Sequence, residues 1–182
     1  MSRNGSASTS ELAERLRVEF DAAFAREVEL ERPAHEDLLT FQVAATRYAV
    51  KSRDVRALLP TPKLARVPSD QAQLLGVGGV RGELIPVFDL GLLLGHPAAS
   101  ELGRWSLLVG AQHPLGLTFQ VFERHERVAL TAISSASDGG ALGNFTEHVV
   151  RIADSIVPII AVAKLVQALE GQDGALRGRE SS

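Results

Sequence analysis

Apolar and polar positions recur with two different periods along this chain, and the change of period divides it. From Ser8 onward, Leu12, Leu16, Phe20, Ala23 and Phe24 fall at helical intervals with charges between them, and Ser8 with Glu11 has capping-box spacing. The pattern predicts an amphipathic helix to about Glu29, ended by Pro33, and the acidic run ELERPAHED reads as a linker. Residues 11–37 are thus a helix and its linker, and the Ser/Gly-rich residues 1–10 are expected to be mobile. The apolar stripe of the helix can pack on the body or dock on a partner.

After Leu38 the texture becomes that of short strands. LLTFQV and RYAV, separated by AAT, predict a hairpin, and the prolines of TPKLARVPSD together with Pro60 predict an extended connection. Leu84 to Leu90 is a further apolar run, closed by GLLLGHP. WSLLVGAQHPLGLTFQVF predicts a second hairpin around Gln112-His113-Pro114, and SSASDGGALGNF a polar loop. HVVRIADSIVPII predicts two strands around Asp154. AVAKLVQALEG has helical spacing and is expected to stop at Gly171, leaving residues 171–182 as a frayed tail.

An internal repeat organises these elements. ELIPVFDLGLLL (Glu83 to Leu94) aligns without gaps on SIVPIIAVAKLV (Ser155 to Val166), and TRYAV (Thr46 to Val50) aligns more weakly on HPLGL (His113 to Leu117). Two occurrences at offsets of 67 and 72 residues are too few and too widely spaced for a solenoid. Two small β-barrels fit better, each too small to be well buried alone and therefore packed on the other.

Composition narrows the chemistry. The chain of 182 residues has net charge −3, 5% aromatic residues and no cysteine. No window concentrates Lys and Arg, which argues against nucleic-acid binding, and disulfides and thiolate metal sites are excluded. Histidines 35, 96, 113, 125 and 148 lack metal-ligand spacing, so no metal or cofactor is expected. No apolar run is long enough to span a bilayer and the first residues carry no signal-peptide core, so the expectation is a cytoplasmic protein. FERHERV (Phe122 to Val128) gathers charges but reads as a solvated strand end or hairpin tip. With no nucleophile elbow and no paired catalytic carboxylates, an enzyme is not expected.

LLGVGGVRGELIPVFDL (Leu74 to Leu90) carries the candidate site. A dinucleotide loop would need a third glycine where Arg81 stands, and no lysine lies between Lys63 and Lys164 to serve a Walker loop. The segment after Gly82 begins a strand, not a helix. A turn that presents Arg81 remains, and this arginine can meet a partner's carboxylate or carbonyl, or pair with Glu83 or Asp89 of its own chain.

The same residues resemble the signature of the CheW-like domain family: Gly-Val-x-Asn-x-Arg-Gly, apolar residues, Pro-Val-x-Asp-Leu-Arg, then a leucine-rich helix ending in Gly. Gly76, Val77, Arg81, Gly82, Pro86, Val87, Asp89, Leu90 and Gly95 stand at those places. TFQVAATRYAVKSRDVRALLP is similar to the family's opening hairpin and its Val-x-Glu-Ile strand, with Val55 at the valine, and Val67-Pro68 to its apolar-Pro pair. RWSLLVGAQHPLGLTFQVF and HVVRIADSIVPIIAVAKLV resemble its second barrel and closing helix. The resemblance spans roughly residues 38–170.

It implies a mostly β fold of two five-stranded, SH3-like barrels packed together, flanked here by the N-terminal amphipathic helix and a C-terminal helix. It also implies a non-catalytic scaffold in a chemosensory array, binding the regulatory domain of a CheA-type histidine kinase and the cytoplasmic tip of a chemoreceptor. Arg81, Gly82, Val80 and Val55 match partner-facing places, and Gly76, Gly79, Pro86, Asp89 and Gly95 would support the turns and strands of the motif. Four positions depart from the pattern: Ala57 for glutamate, Gly79 for asparagine, Gly91 for arginine and Gln120 for aspartate. Such losses leave open an adaptor for surface motility, pili or development, or a ligand-sensing module.

Overall fold

A computed structural model describes residues 34–136 and 144–177. The expected helix from Ser8 to Glu29, its linker up to Pro33 and the middle of the polar loop after Ser135 lie outside these residues. In chain order the body contains β1 (His35–Val43), β2 (Thr46–Lys51), β3 (Ala57–Pro60), β4 (Leu64–Ala65), β5 (Leu74–Val80), β6 (Glu83–Asp89) and the short helix α1 (Leu90–Leu93). Then come β7 (Trp105–Val109), β8 (Leu115–Phe119), β9 (Val121–Ala129), β10 (Ile133–Ser135), β11 (Thr146–Ile152), β12 (Ser155–Ile160) and α2 (Val162–Arg177).

The strands form two six-stranded sheets, ordered β10-β11-β12-β2-β1-β9 and β3-β7-β8-β6-β5-β4. The repeat is visible in this order: moving each of β1 to β6 to the strand six places later, and the reverse, turns one sheet into the other. Register agrees. Val87 pairs with Gly116 where β6 runs parallel to β8, and their repeat counterparts Ile159 and Ala49 pair where β12 runs parallel to β2. In both pairs a small residue faces a β-branched one, and a Cβ on Gly116 would already lie 3.2 Å from Val87 Cγ2.

Each sheet therefore takes its first hairpin from the other repeat, β1-β2 joining β9 to β12 and β7-β8 joining β3 to β6. This departs from the expectation that the second half of the chain makes its own barrel, and each sheet has six strands where five were expected. At one exchange, β8 is buried at every position, as a central strand covered on both faces should be.

Three apolar clusters result from that plan. One joins both sheets and both helices through Phe41, Tyr48, Phe88, Leu90, Phe119 and Leu165, with the rings of Phe41 and Phe119 4.6 Å apart. Each sheet also has its own small cluster, Leu38, Ala49, Val150, Val157 and Ile159 in the first and Val80, Ile85, Val87 and Leu108 in the second. A hydrogen bond of 2.8 Å between Tyr48 Oη and His96 Nε2 ties β2 to the loop after α1.

Several boundaries differ from the sequence expectation for local reasons. β1 starts at His35, inside the acidic segment, because Glu36 is buried and paired with Arg53 at 3.0 Å. FERHERV is neither a strand end nor a hairpin tip but the middle of β9, paired along β1. Its Glu123 accepts from Gln42 Nε2 at 2.6 Å and pairs with Arg47 Nε at 2.7 Å. α2 runs past Gly171 to Arg177, since an interior glycine costs a helix only about 1 kcal/mol relative to alanine and no proline comes after it to stop the helix. Its Val162, Leu165 and Leu169 seat it on the joint cluster.

The β1-β2 turn uses two alanines, Ala44 and Ala45, at φ of 47° and 66°. A Cβ makes this conformation costly by roughly 1–2 kcal/mol per residue, and Asn-Gly is the pair that such turns favour. The double substitution Ala44→Asn, Ala45→Gly is expected to stabilise the fold by about 1–2 kcal/mol in a urea titration. An unchanged midpoint would show that the strain is relieved in some other way.

Candidate functional site

β5 and β6 are joined by the two-residue turn Arg81-Gly82, closed by the Val80–Glu83 pair. Both turn residues have positive φ, 52° at Arg81 and 85° at Gly82, the geometry that matches the twist of adjoining strands. The repeat contains a counterpart: β11 and β12 turn at Ala153-Asp154, closed by Ile152 and Ser155, with Ala153 at φ 51°. One hairpin thus carries alanine where the other carries arginine, at the same backbone angle. Backbone geometry alone does not require the arginine.

Around it lies a groove of about 90 Å³ lined by Arg56, Val80, Arg81, Glu83, Ile85 and Leu108. Val80, Ile85 and Leu108 make an apolar floor continuous with the core of the second sheet. Arg81 makes no hydrogen bond or ion pair among the described residues, so the internal pairing with Glu83 or Asp89 is absent. Arg56 is held at the rim: its backbone N–H donates to Leu108 O at 2.8 Å and its Nη1 to Gly110 O at 3.3 Å.

Of the sequence-expected residues, Val80, Arg81 and Gly82 meet at this place. Val55 does not, because it packs against the joint core. Arg56 and Leu108 were missed. Arg56 had a faint signal, alternation with Val55 next to a strand, whereas Leu108 comes from the exchanged hairpin and is remote in sequence.

The supporting residues separate by role. Asp89 caps α1 by accepting the Leu92 N–H at 3.1 Å, and Gly95 ends that helix at φ 82°. Pro86 lies in β6 opposite Val77. Gly76 has φ 143°, and a Cβ there would stand 2.3 Å from the carbonyl oxygen of Ala65. Gly79 has nothing within 4 Å of where its Cβ would be, so open space is available there. Ala57 packs beside the core of the second sheet, and a Cβ on Gly91 would be 3.0 Å from Asp89 Oδ1. Gln120 buries its Oε1 without a hydrogen-bond partner.

Comparison with known proteins bears on the whole body. A family model described as CheW-like domain matches residues 37–170. Among solved structures, the scaffolding protein TtCheW from Thermoanaerobacter tengcongensis is similar at a TM-score of 0.64 with 18% identity, over 70% of this chain and 89% of that one. At that identity the likeness speaks for the fold alone. No curated protein matches the sequence.

Proposed function

Since the chain belongs to the CheW-like domain family, we propose that this non-catalytic protein is an adaptor that couples chemoreceptors to a CheA-type histidine kinase. The observation that carries the reading is the unpaired Arg81, set on a turn whose repeat counterpart manages with alanine. The turn fixes the backbone of Arg81, and a guanidinium left without an internal partner keeps all of its donors for a partner's carboxylate or carbonyl. In this reading Arg81 and Gly82 face the receptor tip, over Val80.

The kinase contact is apolar and pseudo-symmetric, as one such fold stacks on another. Leu84 and Ile156 support it: they are repeat counterparts on β6 and β12, each next to its turn, and they are 79% and 61% exposed. Solvation of two large apolar side chains at equivalent places is costly unless a partner covers them. A cytoplasmic location beside membrane-bound receptor arrays goes with this role, and no helix among the described residues is long and apolar enough to cross a membrane. Coupling arises when a change in receptor helix geometry alters how the kinase is held, an effect of about 1–3 kcal/mol.

Calorimetric titration with the regulatory domain of the CheA-type kinase encoded nearest to the gene tests the reading. Binding at micromolar affinity or tighter is expected, and absence of heat at several temperatures with both proteins folded would refute it. Repeating the titration without residues 1–33 would show whether that segment adds to the contact.

A further inference from the structure

We infer that Arg56 and Arg81 together form a clamp for a single carboxylate side chain, flanked by apolar residues, on a partner protein. The inference rests on the adaptor reading only in making the occupant a protein. Both arginines line one groove, and its floor of Val80, Ile85 and Leu108 suits an apolar neighbour of that carboxylate. Neither arginine has a carboxylate partner among the described residues. Two like charges sharing a groove repel each other until an anion comes between them, so the free groove is poised to take one.

Arg56 is pre-organised for this. Its backbone and side chain hang on the carbonyls of Leu108 and Gly110, which leaves the remaining guanidinium donors for a ligand. Gly110 is itself constrained, at φ 84° with the carbonyl oxygen of His113 2.4 Å from where a Cβ would be, so the anchor is rigid. The occupant is a monovalent carboxylate because two arginines and Glu83 leave the groove with one net positive charge, which a single carboxylate neutralises.

The test uses the full chain with arginine side chains labelled for NMR, observing the Nε–H groups. The probe is acetyl-Leu-Asp-Leu-Glu-Leu-amide, compared with the same peptide carrying Asn and Gln and with inorganic phosphate. The acidic peptide is expected to shift Arg56 and Arg81 together along one saturation curve, with the amide peptide at least about tenfold weaker. Arg56→Gln, read through Arg81, is expected to weaken the acidic peptide about fivefold, and Arg81→Gln, read through Arg56, to do the same. Shifts at Arg81 alone, equal response to the amide peptide, or tighter saturation by phosphate would each overturn the clamp. A failed kinase titration beside a positive peptide titration would reject the adaptor reading and leave the clamp standing, and the reverse pair of results would do the opposite.

Discussion

Arg81→Glu is expected to weaken binding of a receptor-tip fragment about 30-fold while leaving the urea midpoint within about 0.5 kcal/mol of the parent. The first half of the expectation is electrostatic. Reversal removes the unpaired guanidinium and places a second carboxylate beside Glu83 on the groove wall, so a partner carboxylate that met attraction now meets two like charges. The second half comes from the repeat. Ala153 occupies the equivalent turn at φ 51°, so the turn forms around a side chain that contributes nothing but its Cβ, and glutamate costs the backbone no more than arginine does. Calorimetry with the receptor fragment and a urea titration of the same sample check both halves. Undiminished affinity would remove Arg81 from the interface, and a loss of several kcal/mol of stability would make it a structural residue.

The larger effect on folding is expected at a glycine earlier in the same strand. Gly76→Ala should destabilise by about 3 kcal/mol or more, because the added Cβ meets the Ala65 carbonyl oxygen at 2.3 Å and cannot relax by rotating a side chain. The backbone at φ 143° adds a conformational cost that only glycine escapes. β4 is two residues long and its pairing with β5 is the element most exposed to this clash, so separation of β4 from the sheet edge is the expected structural response. Gly79→Asn serves as the control: with open space around the Cβ it should change stability by no more than about 0.5 kcal/mol. For a chain of this length a loss of about 3 kcal/mol lowers Tm by about 6–12 °C, which a thermal melt resolves. Equal effects at the two glycines would refute the distinction.

These two glycines also show what the sequence conveys and what it withholds. Gly76 and Gly79 stand in one motif and look alike on paper, yet one is held by a carbonyl on a neighbouring strand and the other faces open space. Strand runs, turns and the repeat were legible because they depend on local periodicity and on residues within a few positions of each other. The turn at Arg81 belongs to that class. Partner choice among strands does not. β8 and β12 announce by their mostly apolar runs that they are central, but nothing in a period of two says which hairpin lies beside them. Leu108 was missed for the same reason: it reaches the groove across an exchanged hairpin. Arg56 was overlooked despite its alternation with Val55 because that neighbour carries the motif; Val55 packs against the joint core whereas Arg56 lines the groove.

The exchanged hairpins bear on how the chain can be made. β1 and β2 are synthesised first, but β2 lies between β1 and β12, and β12 is the last strand to be completed. The opening hairpin must therefore wait, with one edge unsatisfied, until β12 has left the ribosome, whereas the second sheet has all its strands once β8 is made. Assembly is then ordered, β3 to β8 first and the sheet that spans both ends of the body last, and the interval between them is when an unpaired β2 edge is open to another nascent chain.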